Sequence, residues 1–259
     1  MALTPGRRTL LTLGLPLSLA FIGYAALGIM NAVGLTHYTD SLTVVPVGQV
    51  QVLAVDARDG SVRLEPSADG NVHVRVKGVY ALSRPRLTTA STAAGVTVTG
   101  RQCSGGGINI CTQDVTIEVP AGFRVTATSG GGDVRASGLT GEVSLSSSAG
   151  SVHDDGAVGR LVMSSSAGDV SGTNLRSSDV TASSSGGDVD LTFGADPTRV
   201  EAGSSAGDVA VRVPGAVAYR VTVKSSGGSA TSTVHEDSAS TRTIDAHSSA
   251  GDVSVRPSG

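Results

Sequence analysis

Through the second half of the chain, aliphatic and polar positions alternate with the two-residue period of a strand. The alternation restarts at a fixed landmark, a Gly preceded by Ala or Gly and followed by Asp or Ser. Set in register, this landmark is Gly132, Gly150, Gly168, Gly187, Gly207, Gly228 and Gly251, at spacings of 18 to 23 residues. Seven places before it stand Val125, Val143, Leu161, Val180, Val200, Val221 and Ile244. Five places before it stand Ala127, Leu145, Met163, Ala182, Ala202, Val223 and Ala246, and two places after it Val134, Val152, Val170, Val189, Val209, Ala230 and Val253. These columns are predicted to face a core. The residues between them (Thr126, Ser144, Thr181, Glu201, Thr222 and Asp245, then Thr128, Ser146, Ser164, Ser183, Lys224 and His247) are predicted to face water, with Val162 the exception. Three places before the landmark runs an unbroken serine column, Ser129, Ser147, Ser165, Ser184, Ser204, Ser225 and Ser248. Its place in the alternation points it inward, as small hydroxyls bonding each other and the backbone near a corner too narrow for Leu.

Each unit is therefore strand, Gly turn, strand and second turn, with no helical stretch after the first 35 residues. A unit that cannot bury its own inner face must stack on its neighbours, so the pattern predicts an all-β parallel β-solenoid of coils of 18 to 23 residues. Residues 123–259 form its regular coils; seven of them, about 4.8 Å apart, make a rod of roughly 30 Å. Residues 49–122 ("VQVLAVDARDGSVRLE", "DGNVHVRV", "AGVTVTG", "DVTIEVP") read as looser coils of the same domain, with "SRPRLTT" at an edge because Pro85 has no N–H for a ladder. Residues 36–48 read as a linker.

A Gly in all seven turns implies a corner that needs positive φ. Asp follows it at 133, 169, 188, 208 and 252 and Ser at 151 and 229; both side chains can bond their own turn backbone, which explains the exchange. A calcium ladder is the sharper alternative, with Asp169, Asp188 and Asp208 as the longest uninterrupted row. Hard cations want six to eight oxygens, however, and the nonapeptide pattern of calcium-binding β-rolls is not reproduced. Turn capping is the preferred reading, and neither metal nor cofactor is expected. The serines lack an accompanying His–Asp pair, and the five His, at 37, 73, 153, 235 and 247, show no ligand spacing. Solenoid polysaccharide lyases want basic residues and aromatic platforms that are scarce here. An ice-binding face would be spoiled by Glu201, Asp245, Lys224 and His247. No enzymatic activity is expected.

Composition sharpens this picture. Hydrophobic residues make up 39% of 259, yet aromatics only 3%, so the core must come from small and β-branched side chains that suit thin strand layers. A net charge of −3 without any Lys/Arg-rich run argues against nucleic acid. At the N-terminus, Arg7 and Arg8 precede an uncharged stretch, residues 9–35, long enough to cross a bilayer. The positive-inside bias then places residues 1–8 in the cytoplasm and the remainder outside, as a single-pass cell-membrane protein. The competing reading, a cleaved signal peptide, meets an apolar region much longer than the usual 7–15 residues. Cys103 and Cys111, the only cysteines, flank "SGGGINI" and read as a disulfide outside the membrane; two thiols with no nearby His make a poor zinc site.

With the "SSSAGDV" units, the "VDARDGSVRLE" opening, the Cys pair before "DVTIEVP" and the uncharged span in place, the chain resembles a bacterial family of adhesin candidates of unknown function. That family is described by its DUF4097 domain, and the chain is similar to its membrane-anchored actinobacterial form. The resemblance runs from about Val50 to the end. It implies a β-helical surface domain and an adhesin-like role, with no catalytic residues to carry over. The expected function is a structural or interaction module of the cell envelope, meeting an unknown protein or glycan partner. A regulatory partner in envelope stress signalling is the alternative, and a carbohydrate-active β-helix enzyme comes third. The last coil, "HSSAGDVSVRPSG", is guarded only by Pro257, which predicts end-to-end self-association.

Overall fold

The computed structural model describes residues 35–46, 51–58, 60–81, 84–100 and 111–258. Among them the chain is all β. The first strands are β1 (Thr36–Val44), β2 (Val52–Ala57), β3 (Gly60–Pro66), β4 (Val72–Tyr80), β5 (Leu87–Thr92), β6 (Gly95–Gly100) and β7 (Cys111–Val119). The regular part follows as pairs, each joined through a landmark glycine. They are β8 (Arg124–Ser129) with β9 (Val134–Ser137), β10 (Val143–Ser147) with β11 (Val152–Asp155), β12 (Leu161–Ser165) with β13 (Val170–Leu175), and β14 (Asp179–Ser184) with β15 (Val189–Phe193). Then come β16 (Arg199–Ser204) with β17 (Val209–Val213), β18 (Arg220–Ser225) with β19 (Ala230–Ser232), and β20 (Thr243–Ser248) with β21 (Val253–Pro257).

The second strand of each pair joins an 11-stranded sheet, ordered β1-β4-β7-β3-β9-β11-β13-β15-β17-β21-β19. The first strand joins a 10-stranded sheet, ordered β5-β6-β2-β8-β10-β12-β14-β16-β20-β18. Coils pair in parallel and in the register that the glycine alignment gives: Val143 lies beside Val125 and Leu161, Val152 beside Val134 and Val170. The aliphatic columns meet between the sheets in one core; Val143, Leu161, Val152 and Val170 are fully buried.

Four expectations are corrected. Residues 36–48 are not simply a linker, since β1 pairs antiparallel with β4. Residues 49–122 are only partly coils: β2–β3 and β6–β7 stack in parallel, whereas β1, β4 and β5 run antiparallel and extend the two sheets past β7 and β6. The rod among the described residues has nine coils, about 38 Å at about 4.8 Å per step. Pro85 does precede an edge strand, β5. The N-terminal span falls on residues 1–34, outside the described residues; among those described, no helix is long and apolar enough to cross a membrane.

The fourth correction concerns order. Coils do not stack in chain order at either end: β2–β3 lies between β6–β7 and β8–β9, and β20–β21 lies between β16–β17 and β18–β19. The last coil is therefore not the exposed end. Side-chain volume explains the choice. The inserted coil carries Ile244, Ala246, Val253 and Val255, all at most 1% exposed, whereas the end coil offers half-buried Val221 and Val223 with exposed Ala230. Chain order would bring the larger apolar set to the open end, and each valine or isoleucine side chain in it is worth about 1.5–3 kcal/mol when buried. The end strand β18 carries exposed Arg220 and Lys224, charges that discourage further pairing.

Candidate functional site

The landmark corners are built by three residues in three separate roles. Each serine of the inward column donates its hydroxyl to the corner-glycine carbonyl of the adjacent coil: Ser147 to Gly132, Ser165 to Gly150, Ser184 to Gly168, Ser204 to Gly187, Ser248 to Gly207 and Ser225 to Gly251, at 2.7 to 2.9 Å. Ser129 does the same to Gly60, a corner the repeat alignment missed. The same oxygen accepts the N–H of its own corner glycine, as from Gly150, Gly168, Gly187 and Gly207 at 2.9 Å. The serines thus bond the backbone and not one another, tying each corner to the next.

The glycines are required for a reason other than the one expected. None of Gly132, Gly150, Gly168, Gly187, Gly207, Gly228 and Gly251 lies in the left-handed region. A Cβ on Gly187 would sit 2.5 Å from the Gly168 carbonyl oxygen and 2.6 Å from Asp169 Oδ1, and the other corners are as tight. Stacked corners approach too closely for any side chain.

The aspartates cap the neighbouring coil, not their own turn. Asp133 Oδ1 accepts the N–H of Ser151, Asp169 that of Asp188, Asp188 that of Asp208, Asp208 that of Asp252, and Asp252 that of Ser229, at 2.7 to 3.0 Å. Because β20–β21 is inserted, the uninterrupted row is four aspartates, Asp169, Asp188, Asp208 and Asp252, one more than chain order suggests. Asp252, whose carboxylate takes both the N–H and the hydroxyl of Ser229, is held below the usual carboxylate range by those bonds. Among the described residues no three His, Cys, Asp or Glu side chains gather as a metal site. Cys111 opens β7, and no free cysteine occurs among the described residues; Cys103, its expected partner, falls in 101–110, outside them.

The opposite corners make the larger concavity. An open trough of about 680 Å³ runs over the second turns of successive coils, floored by Gly138, Gly156 and Gly194 and edged by Pro66, Ser137, Asp155, Asn174 and Arg176. Here the backbone is left-handed, with φ of 61° at Gly138, 80° at Gly156 and 50° at Asn174, the last the sole non-glycine of this kind among the described residues. Asn174 Nδ2 and the Thr173 hydroxyl donate to Asp155 Oδ1, both at 2.9 Å, and lower the Asp155 pKa. Asp155 therefore presents an ionised carboxylate whose other oxygen is available. Arg176 is exposed and, among the described residues, in no ion pair, unlike Arg124 with Glu142 (2.9 Å) or Arg160 with Asp179 (3.6 Å) along the other sheet. An acceptor, a cation, the Ser137 hydroxyl and the Pro66 ring thus share one trough. This set can hold a polar or polyhydroxylated chain; it holds no nucleophile–base pair. Sequence reading singled out none of these trough residues.

It also missed Asp154, completely buried on β11. Its Oδ1 accepts the Ala157 N–H at 3.0 Å while Oδ2 has no partner. Burial, partly offset by that bond and reinforced by Asp155, pushes it up to about 7. Extending the inward columns two residues further, to Ala136, Asp154, Gly172, Leu191, Val211, Ser232 and Val255, would have exposed it.

The sequence of residues 123–256, more than half of the chain, matches the profile of the Toastrack DUF4097 family. The chain belongs to that family. The match begins one residue before β8, where the regular coils start. Among solved structures the Toastrack chain is similar to an adhesin candidate from Bacteroides fragilis (16% identity, TM-score 0.41, covering 86% of this chain and 97% of that one). It is similar too to an adhesin candidate from Parabacteroides distasonis (14% identity, TM-score 0.41, covering 87% and 97%) and to a candidate lipid-binding protein from the same organism (11%, 0.36, covering 86% and 97%). No curated protein matches it.

Proposed function

We propose that this Toastrack chain is a non-catalytic cell-envelope module, with residues 9–35 as a single membrane anchor, residues 1–8 cytoplasmic and the coils displayed outside. Its role is adhesin-like, meeting a protein or glycan partner. The second-corner trough carries this reading: the second carboxylate oxygen of Asp155, the Arg176 guanidinium and the Ser137 hydroxyl face one open concavity there, whereas the glycine-corner chemistry is consumed in holding coils together. The ladders favour rigidity, because each coil from β8–β9 to β16–β17, and the inserted β20–β21, is bonded to both neighbours at its glycine corner. A Cys103–Cys111 disulfide would link Cys103 to the first residue of β7.

The test is binding of the full chain, in uncharged detergent, to whole cells, extracellular matrix and arrayed glycans, repeated with Asp155→Ala and Arg176→Ala. Saturable binding, weakened at least tenfold by either substitution with melting unchanged, is the expected result. Absence of binding to all three, together with altered envelope-gene transcription on deletion, would replace this reading with the regulatory one.

A further inference from the structure

We propose that the inserted coil β20–β21 is exchangeable, and that a second copy of this chain can seat its own residues 243–257 between β16–β17 and β18–β19, joining two molecules. Four observations lead there. The coil is out of chain order, clamped by β16 and β18 in one sheet and by β17 and β19 in the other. Residues 233–242 join it to the preceding coil, and within that connection Arg242, held by the Asp196 and Pro197 carbonyls, is the contact that must release for the insert to leave.

The two neighbours are matched to each other as well as to the insert. Gly207 receives the Ser248 hydroxyl and Asp208 the Asp252 N–H. Ser225 and Ser229 of the end coil occupy the same template positions, and β18 and β16 share one register against β20, with Val221 and Val200 both beside Ile244. When the insert leaves, β18–β19 can close onto β16–β17, Ser225 reaching Gly207 and Asp208 taking the Ser229 N–H. The opened molecule keeps a satisfied corner ladder, so exchange does not require unfolding the rod.

The insert is also held against like charges in both sheets. Asp245 lies in register with Glu201, and Arg256 with Arg212. Arg212 is turned to Asp190, and among the described residues Asp245 has one cationic neighbour, His247, at 3.9 Å. Like charges directly opposite weaken a strand pair. The occupant is a copy of this chain, because only a coil with Ser, Gly and Asp at the template positions and Ile, Ala, Val and Val facing inward reproduces both interfaces. This mode of self-association differs from end-to-end stacking, which the exposed Arg220 and Lys224 oppose.

The register supplies a direct test. Positions 201 and 245 are exposed or half-buried neighbours on adjacent parallel strands, within the Cα separation a disulfide tolerates. Full chains carrying Glu201→Cys alone and Asp245→Cys alone are mixed in uncharged detergent, unfolded, refolded together and oxidised, then run on non-reducing gels. The expected result is a covalent heterodimer at least fivefold above a control mixture of Glu201→Cys with Thr181→Cys, which are neighbours only within coils stacked in chain order. The double variant in one chain should close internally, confirming the geometry. A heterodimer no more abundant than the control, when the double variant does close, overturns the proposal. Shortening residues 235–240 provides an independent check: a rise in dimer is expected because the chain's own insert can no longer reach back, and an unchanged monomer would count against exchange.

Discussion

Asp154→Asn should remove most of the fall in stability between pH 5 and pH 8. Asp154 sits on the inner face of β11 between Ala136 and Gly172, small neighbours that leave room for a carboxyl without solvating it. Its folded-state pKa is raised from 3.8 to about 7, so the protonated form is the one the fold prefers. The stabilisation is complete below the unfolded value, declines as pH rises from about 4 and is lost above about 7. The whole displacement corresponds to about 4 kcal/mol, of which about 3 kcal/mol falls between pH 5 and 8. For a chain of this size that is about 8 °C in Tm. Asparagine keeps a carbonyl for the Ala157 N–H and cannot ionise. Thermal melts of both proteins at half-unit steps from pH 5 to 8 read the difference directly. A variant whose Tm falls in parallel with the wild type would refute the assignment of the buried carboxyl as the source.

At the corners, Gly187→Ala should cost about 3 kcal/mol, because the added Cβ meets backbone that cannot yield. Gly156→Ala, with open space around it but φ of 80°, should cost only about 1 kcal/mol; equal losses in denaturant melts would contradict the distinction between close approach and left-handed backbone. Ser165→Ala leaves the Gly168 N–H and the Gly150 carbonyl unpaired and should cost about 2–3 kcal/mol, so a neutral melt would show that the ladder contributes nothing. Calcium at saturating concentration should leave Tm unchanged in wild type and in Asp208→Ala, since the aspartate row is engaged with backbone N–H groups; a rise in the wild type alone would restore the metal reading. Thiol titration of the unfolded, unreduced chain should find no free thiol if Cys103 and Cys111 are paired, and two if they are not.

Period-two alternation determined much of this fold on its own, because side-chain direction in a strand depends only on position parity. The Val125 and Ala127 columns, the Val134 column and the serine column all face the core where the alternation places them. The identity of the corner residues was equally legible, but their purposes were not. Gly187 and Asp188 act on the coils either side of them, and a residue's contact across about 4.8 Å of stacking cannot be seen in its own turn. The same limit hid the trough. Ser137, Asp155, Asn174 and Arg176 come from three successive units, and only stacking brings them onto one edge.

Coil order was decided by tertiary structure alone. The local template at Ser225 and Gly228 is interchangeable with that at Ser248 and Gly251, so no neighbour preference is written into either unit. What separates them is burial summed over a whole coil: Ile244, Ala246, Val253 and Val255 against Val221, Val223, Ala230 and Ser232, where the gains at Ile244, Val253 and Val255 outweigh the smaller Ala246. That sum acquires meaning only once one position is enclosed and the other lies at the end. The sequence therefore specifies the unit and its register, and the energetics of the finished stack specify which unit goes inside.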